Sequence, residues 1–121
     1  MNIALATTSE KPIYQQLFDQ ISSQILKGEL EFGYSLPPIR QAASELGISI
    51  ITVKKAWEEL ERSGLIYTVT GKGCFVAKLS PDDIIQKRND MILKEMVNSA
   101  SYYKSFGLSI DEVIELLKKI Y

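Results

Sequence analysis

Two short stretches of the sequence carry polar side chains of the kinds that contact DNA. The first, residues 49–55, reads Ser-Ile-Ile-Thr-Val-Lys-Lys and offers two hydroxyl groups and two ammonium groups. The second is Gly71-Lys72-Gly73, in which one lysine stands between two glycines. Hydroxyls and ammonium groups donate hydrogen bonds to phosphate oxygens and base edges, so both stretches are candidate DNA contacts.

Enzyme chemistry finds little support in the sequence. The chain has no histidine, which removes the commonest general base, and its one cysteine is Cys74. One cysteine without histidine cannot build the usual zinc sites, and Gly71-Lys72-Gly73 is too short for a phosphate-binding loop of the Walker type. We therefore expect no catalytic residue, no metal and no cofactor, and we interpret Cys74 as a small strand residue rather than a redox sensor.

The charge balance limits how the chain can attract DNA. Its 121 residues carry 14 Lys and Arg against 15 Asp and Glu, a net charge of -1, with a pI near 5.5. Residues 1–79 hold eight of each sign, so attraction to phosphate must come from where the charges lie. No apolar run approaches the roughly 18 residues of a membrane span, and residues 1–10 do not resemble a secretory signal. These features predict a cytoplasmic protein that does not contact a membrane.

Three helices are predicted ahead of the Gly-Lys-Gly stretch. Apolar residues recur at helical spacing over residues 12–27, 39–46 and 50–63, whereas residues 1–11 are polar or small and predict a loose lead-in. Gly47-Ile48-Ser49 forms a tight turn between the second and third helices, which is the arrangement of a helix-turn-helix. From spacing alone, a DNA-binding unit and an ordinary pair of packed helices are equally good interpretations.

A β-hairpin is predicted after the third helix. Residues 65–70 and 74–77 are rich in β-branched and aromatic side chains, and Gly71-Lys72-Gly73 joins them as a short turn. A hairpin with a basic tip behind a helix-turn-helix is typical of a wing that reaches the DNA backbone or the minor groove. The predicted fold class is therefore mainly α with a β-hairpin wing: a winged helix-turn-helix followed by two C-terminal helices.

Those two C-terminal helices carry more apolar surface than so short a tail can cover. Ser80-Pro81 starts the first, which extends to about Ser105, and a capping box at Ser109 starts the second. Such helices alone would expose a large apolar patch, which pairing with a second copy buries. We therefore divide the chain into a DNA-binding domain, residues 1–79, and a dimerisation tail, residues 80–121. The predicted dimer contacts are Ile85, Ile92, Met96, Tyr103, Val113 and Leu117.

Six motifs between residues 12 and 77 stand at spacings that are typical of one family of regulators. They are Pro12-Ile13-Tyr14-Gln15-Gln16, Gly28-Glu29-Leu30, Leu36-Pro37-Pro38-Ile39-Arg40, Thr52-Val53-Lys54-Lys55-Ala56-Trp57-Glu58-Glu59-Leu60-Glu61, Gly64-Leu65-Ile66 and Gly71-Lys72-Gly73-Cys74-Phe75-Val76. With these motifs the chain resembles the GntR family of bacterial regulators. Its short tail is similar to that of the YtrA-type branch, whose members dimerise through these helices and commonly repress transporter operons.

The resemblance implies a homodimeric repressor that binds double-stranded operator DNA, and it makes Arg40 a DNA contact. Two positions depart from the family pattern: Pro38 replaces the usual N-cap serine, and Ile50 stands where the family often has a base-reading arginine. The predicted DNA-binding residues are Arg40, Ser49, Ile50, Ile51, Thr52, Lys54, Lys55, Gly71, Lys72 and Gly73.

The charged residues of this set have an alternative structural interpretation. Arg40 can pair with Glu45, and Lys54 and Lys55 can each pair with the glutamate four residues later on a solvated helix face. We favour DNA in each case, because arginine's forked donors suit phosphates and bases and because both lysines point away from the predicted core.

Four further residues at the start of the third helix have two possible roles each. Ser49 and Thr52 can cap the helix as well as reach DNA. Ile50 and Ile51 fit a thymine methyl group and core packing equally well. Trp57 is interpreted as a core residue because of its spacing from Val53.

The predicted function is that of a sequence-specific transcriptional regulator, a repressor that binds a palindromic operator as a dimer. The alternative is a winged helix that serves only protein–protein contact, which fits the neutral charge. The sequence does not identify a small-molecule effector.

Overall fold

Five α-helices and one antiparallel pair of strands make up the structure, a computed structural model that describes residues 1–121. In chain order they are α1 (Ile13–Leu26), α2 (Ile39–Leu46), α3 (Ile50–Arg62), β1 (Ile66–Val69), β2 (Gly73–Val76), α4 (Pro81–Ser105) and α5 (Ile110–Ile120). The predicted fold class is confirmed. The chain divides into two compact units, Met1–Asp82 and Asp83–Tyr121. None of the five helices combines the length and apolar character that a membrane crossing requires.

The core of the first unit lies between α1 and α3. Leu17 and Ile21 of α1 and Val53 and Leu60 of α3 are completely buried. The two residues of α1 are four positions apart and the two of α3 are seven apart, and both spacings place the pair on one face of its helix. Trp57 is only 4% exposed in the same cluster, so its predicted place in the core is confirmed. Packing on α1 therefore determines which face of α3 is left to solvent.

The turn between α2 and α3 depends on one glycine. Gly47 has a φ of +67°, the left-handed conformation that ends a helix and that other residues adopt only with strain. The Ile48 N–H then donates to the Ala43 carbonyl at 3.0 Å, which closes the turn. Ala42 and Ala43 are buried, and their small side chains let α2 approach its neighbours closely. The predicted helix-turn-helix is thus formed.

The hairpin is tied at its base to the segment between α1 and α2. The Leu36 N–H donates to the Cys74 carbonyl at 2.9 Å, and Ser35 forms a bridge with Phe75, so residues 33–36 lie along the outer edge of β2. Ser35 and Leu36 are therefore extended, as expected of residues that precede Pro37. The turn at residues 70–73 stays exposed, as expected of a wing tip.

Residues 2–6 are not the loose lead-in that their composition predicts. They lie extended along α1, where side-chain amides of three glutamines pair with the backbone of alternate residues. Each amide oxygen accepts a hydrogen bond from an N–H, and each amide nitrogen donates to the carbonyl of the same residue, over distances of 2.6–3.4 Å. The pairs are Gln16 with Ala6, Gln20 with Ala4 and Gln24 with Asn2.

This glutamine ladder, the pairing of Gln16, Gln20 and Gln24 with residues 2–6, forms because the helix and the extended chain advance by matching distances. Four residues of helix rise about 6 Å and two residues of extended chain about 6.6 Å, so amides at every fourth helical position meet every second extended residue. Ile3 and Leu5, between the paired residues, pack against the core. The signal in the sequence was the four-residue spacing of Gln16, Gln20 and Gln24, which an analysis of apolar periodicity passes over.

The second unit, by contrast, has no buried side chain in α4 or α5. Its α5 begins with the predicted capping box, in which Ser109 Oγ accepts from the Glu112 N–H at 3.2 Å and Glu112 accepts from the Ser109 N–H at 3.1 Å. Four of the six predicted dimer contacts are exposed, and two are half-buried. The exposed ones are Ile85, Ile92, Met96 and Leu117, and the half-buried ones are Tyr103 and Val113.

We predict that Gln20→Leu releases the backbone of Ala4 from α1, in the middle of the glutamine ladder. It removes both hydrogen bonds to Ala4, so the exchange of the Ala4 amide hydrogen should accelerate, with a loss of unfolding free energy of about 1–2 kcal/mol. Gln15→Leu is the matched control, because the Gln15 amide bonds Asp19 instead. Hydrogen exchange followed by NMR checks this, and a protected Ala4 amide in Gln20→Leu would contradict the role of the ladder.

Candidate nucleic-acid interface

The outward face of α3 carries the residues predicted to contact DNA. Lys54 and Lys55 are both exposed and lie outside the buried stripe. Ile51 is 78% exposed and Ile50 is 41% exposed. The structure therefore excludes the core interpretation of Ile51 and leaves both isoleucines outside the buried cluster, at the N-terminal end of the helix.

Ser49 and Thr52 form the cap at that end of α3. Ser49 Oγ accepts a hydrogen bond from the Thr52 N–H at 3.1 Å, and the two hydroxyl oxygens are 2.7 Å apart. The predicted N-cap is confirmed for Ser49. Both hydroxyls lie at the positive end of the helix dipole, where an anionic group is favoured.

The two lysines of α3 have different surroundings. Lys54 Nζ is 4.0 Å from a carboxylate oxygen of Glu58, the partner predicted from its spacing. The Glu59 carboxylate, predicted as the partner of Lys55, pairs with Arg62 instead. Lys55 Nζ lies 3.9 Å from the centroid of the Tyr14 ring on α1. Its charge is therefore held by an aromatic face rather than cancelled by a carboxylate.

Arg40 lies exposed in the first turn of α2. Its alternative partner Glu45 accepts a hydrogen bond from the Gln41 amide at 2.9 Å, and no Arg40–Glu45 ion pair forms. Pro38 occupies the N-cap position without a side-chain hydrogen bond, as the replacement of serine predicts. The Arg40 guanidinium thus remains available to a phosphate or a base.

The wing tip holds Lys72 between two glycines that the turn requires. Gly71 has a φ of +77° and Gly73 a φ of +121°. A Cβ at either position would meet open space, so backbone conformation and not close packing demands glycine. The Lys72 N–H donates to the Val69 carbonyl at 2.9 Å, which leaves its exposed side chain outside the turn. Cys74, half-buried with Sγ 3.4 Å from Thr68 Oγ1, fits the predicted strand role.

The acidic residues of α3 lie in its C-terminal half: Glu59 pairs with Arg62, and Glu61 accepts a hydrogen bond from the Thr68 hydroxyl at 2.8 Å. Lys54 is joined to Glu58 only by an exposed pair, which is weak and readily exchanged. The first unit, which has no excess of positive charge, therefore presents a basic surface at the N-terminal half of α3.

Comparisons with known proteins agree on one family. The model described as bacterial regulatory proteins, gntR family, matches residues 13–76. The HTH-type transcriptional repressor YtrA of Bacillus subtilis (strain 168) is 31% identical over 121 residues, covering 98% of this chain and 91% of that protein. The match confirms the resemblance drawn from the six motifs, including its YtrA-type branch. These relatives are transcription regulators and not enzymes, which agrees with the sequence analysis.

Solved structures of the family share this fold. A GntR family transcriptional regulator from Listeria monocytogenes superposes with a TM-score of 0.76 at 31% identity, covering 93% of this chain and 98% of the other. AraR(DBD) in complex with operator ORR3 superposes with a TM-score of 0.53 at 32% identity, covering 64% of this chain and 93% of the other. The winged helix-turn-helix is therefore that of regulators in this family.

We predict that the Ser49 hydroxyl stabilises α3 as an N-cap. Ser49→Ala removes the acceptor for the Thr52 N–H and should lower the unfolding free energy by about 1 kcal/mol, whereas Ser49→Asn keeps a capping oxygen and should lose only about 0.3 kcal/mol or less. Urea denaturation measures both. Equal losses in the two variants would show that the cap is not the source of the stability.

Proposed function

The chain belongs to the GntR family of bacterial regulatory proteins, and we propose that it represses transcription as a homodimer bound to a palindromic operator. The observation that carries the proposal is the exposed N-terminal half of α3, where hydroxyl, isoleucine and lysine side chains stand on the face opposite the core. A helix with this face fits the major groove, whose floor displays acceptors, donors and thymine methyl groups.

Within this surface, contacts that position the protein differ from contacts that read sequence. Lys54, Lys55 and Lys72 present point charges that suit phosphate oxygens, and Ser49 lies at a helix N-terminus that suits the same group. Arg40 can donate two hydrogen bonds to the edge of a guanine base. Because the position of a base-reading arginine is occupied by isoleucine, Ile50 and Ile51 offer apolar contact with thymine methyl groups instead.

The second unit supports a homodimer. Its apolar side chains are mostly exposed, and a soluble chain rarely leaves so much apolar surface uncovered. On α4, Ile85, Ile92, Met96 and Tyr103 follow one another at seven-, four- and seven-residue intervals, which is the spacing of helices that pair side by side. A second copy of this chain presents the same stripe and is therefore the occupant we propose.

A two-fold dimer would place two copies of α3 on one face of the duplex. The half-sites of the operator would then form an inverted repeat with centres about one helical turn apart. Repression is carried over from relatives named as repressors, and control of a transporter operon is what the YtrA-type resemblance implies. The proposed place of action is the cytoplasm, where operator DNA lies.

We predict that Arg40 and Lys72 contribute to DNA binding in different ways. Lys72→Ala should weaken binding to operator and scrambled duplexes alike and lower the slope of log affinity against log salt by about 0.9, the value of one phosphate contact. Arg40→Ala should cost about 1–3 kcal/mol on the operator and less on scrambled DNA. Titrations at several salt concentrations separate the two.

The control for both variants is Lys78→Ala, an exposed lysine beyond the hairpin, which should keep the salt slope of the unmodified protein. Equal losses on both duplexes would make Arg40 a phosphate contact. If neither Arg40→Ala nor Lys72→Ala weakens binding to any duplex, the proposed DNA surface is wrong and the winged helix serves another partner.

We predict that Ile92→Glu separates the dimer. A buried carboxylate in the middle of the apolar stripe of α4 would remain unpaired, so the dissociation constant of the dimer should rise more than tenfold. Ser101→Glu, an exposed position on the opposite side of α4, is the matched control and should leave the dimer intact. Sedimentation velocity measures both, and a dimeric Ile92→Glu protein would contradict the assigned interface.

A further inference from the structure

Lys55 is the lysine of α3 whose charge no carboxylate of its own helix offsets. Lys54 Nζ lies 4.0 Å from a carboxylate oxygen of Glu58, four residues later on the helix. The acid at the same spacing from Lys55 is Glu59, which forms an ion pair with Arg62 instead. Lys55 instead rests on the face of the Tyr14 ring, with 3.9 Å between Nζ and the ring centroid. An aromatic face attracts a cation without removing its charge.

The Tyr14 ring is a fixed platform, because the core holds both ends of the contact. Tyr14 lies in the first turn of α1, three residues before the completely buried Leu17, and its own side chain is half-buried. Lys55 directly precedes Ala56, which is also completely buried. The backbones on both sides of the pair are thus set by the packing of α1 against α3, and the ring selects where the flexible lysine side chain lies.

We propose that Tyr14 is a positioning residue for DNA binding, which holds the Lys55 ammonium group where it meets a phosphate of the bound duplex. The inference rests on the proposed function. A lysine side chain pays conformational entropy when a phosphate immobilises it, and one that already lies on a ring loses less. The ammonium group contacts the ring on one side only, so its remaining N–H donors are available to a phosphate oxygen.

This pair extends the DNA surface from α3 to the start of α1. Ile51 lies one helical turn before Lys55 on the same face of α3, and Lys55 in turn contacts Tyr14 of α1. Lys55 therefore joins the exposed face that carries Ile51 to the start of α1. The neighbouring Lys54, paired with Glu58, takes no part in this contact.

The test is a double-mutant cycle on the full chain with a random-sequence 30-base-pair duplex, since a phosphate contact does not depend on sequence. Tyr14→Leu removes the aromatic face and should weaken binding about two- to fivefold, whereas Tyr14→Phe keeps the face and should bind as the unmodified protein does. Lys55→Met should lower the salt slope by about 0.9. In the Lys55→Met background, Tyr14→Leu should cause no further loss.

A second measurement on the protein without DNA separates positioning from folding. The Hε protons of Lys55 should show an upfield ring-current shift in the NMR spectrum of the unmodified protein and of Tyr14→Phe, and this shift should vanish in Tyr14→Leu. Thermal unfolding of each variant shows whether the first unit remains folded.

Two results would overturn the inference. If Tyr14→Phe binds as weakly as Tyr14→Leu, the Tyr14 hydroxyl contacts DNA itself. If the losses of Tyr14→Leu and Lys55→Met add, or if the ring-current shift is absent, the two side chains act independently. Failure of the proposed function looks different, because the unmodified protein would then bind no duplex in a salt-dependent manner.

Discussion

The packing of α3 on α1 is the constraint on which the remaining features of the first unit depend. Burial of one face of α3 forces the opposite face to point to solvent. The buried face consists of Val53, Ala56, Trp57 and Leu60. A side chain changed on the buried face would alter the tilt or rotation of α3 and hence every outward contact at once. Recognition in this fold is therefore a consequence of core packing, carried out by residues that the core leaves exposed.

A chain with a net charge of -1 can still bind a polyanion when some of its acids are engaged elsewhere. In α3 the carboxylates follow the lysines along the helix, and Arg62 and Thr68 bind two of them. The hydroxyl of Ser49 and the positive end of the helix dipole lie at the same end of α3 as the lysines, and they add to its attraction for an anion. Few cations then account for the attraction, so each of them should carry a measurable share of the salt dependence.

Sequence patterns predicted the features that depend on local spacing. The buried stripe of α3, the Gly47 turn, the Ser49 cap and the capping box at Ser109 follow from apolar periodicity and capping rules that act within a few residues. The wing was predicted from its two β-rich runs and the Gly-containing turn between them. Family motifs added the assignment of Arg40 as a DNA contact. Features that join distant parts of the chain were not predicted, since an amide ladder or a lysine on an aromatic ring leaves no periodic apolar signal. Examples are the pairing of residues 2–6 with α1 and that of Lys55 with Tyr14.

The central claim is that two copies of α3 read one inverted repeat, and the most direct measurement is selection of genomic DNA fragments by the unmodified protein, with the mass of each complex determined. The account predicts enrichment of fragments that share an inverted repeat with centres about one helical turn apart, each bound by two copies of the chain. Affinity for these fragments should fall steeply as salt rises. Selection of no common sequence, or of a single half-site bound by one copy, would contradict the account.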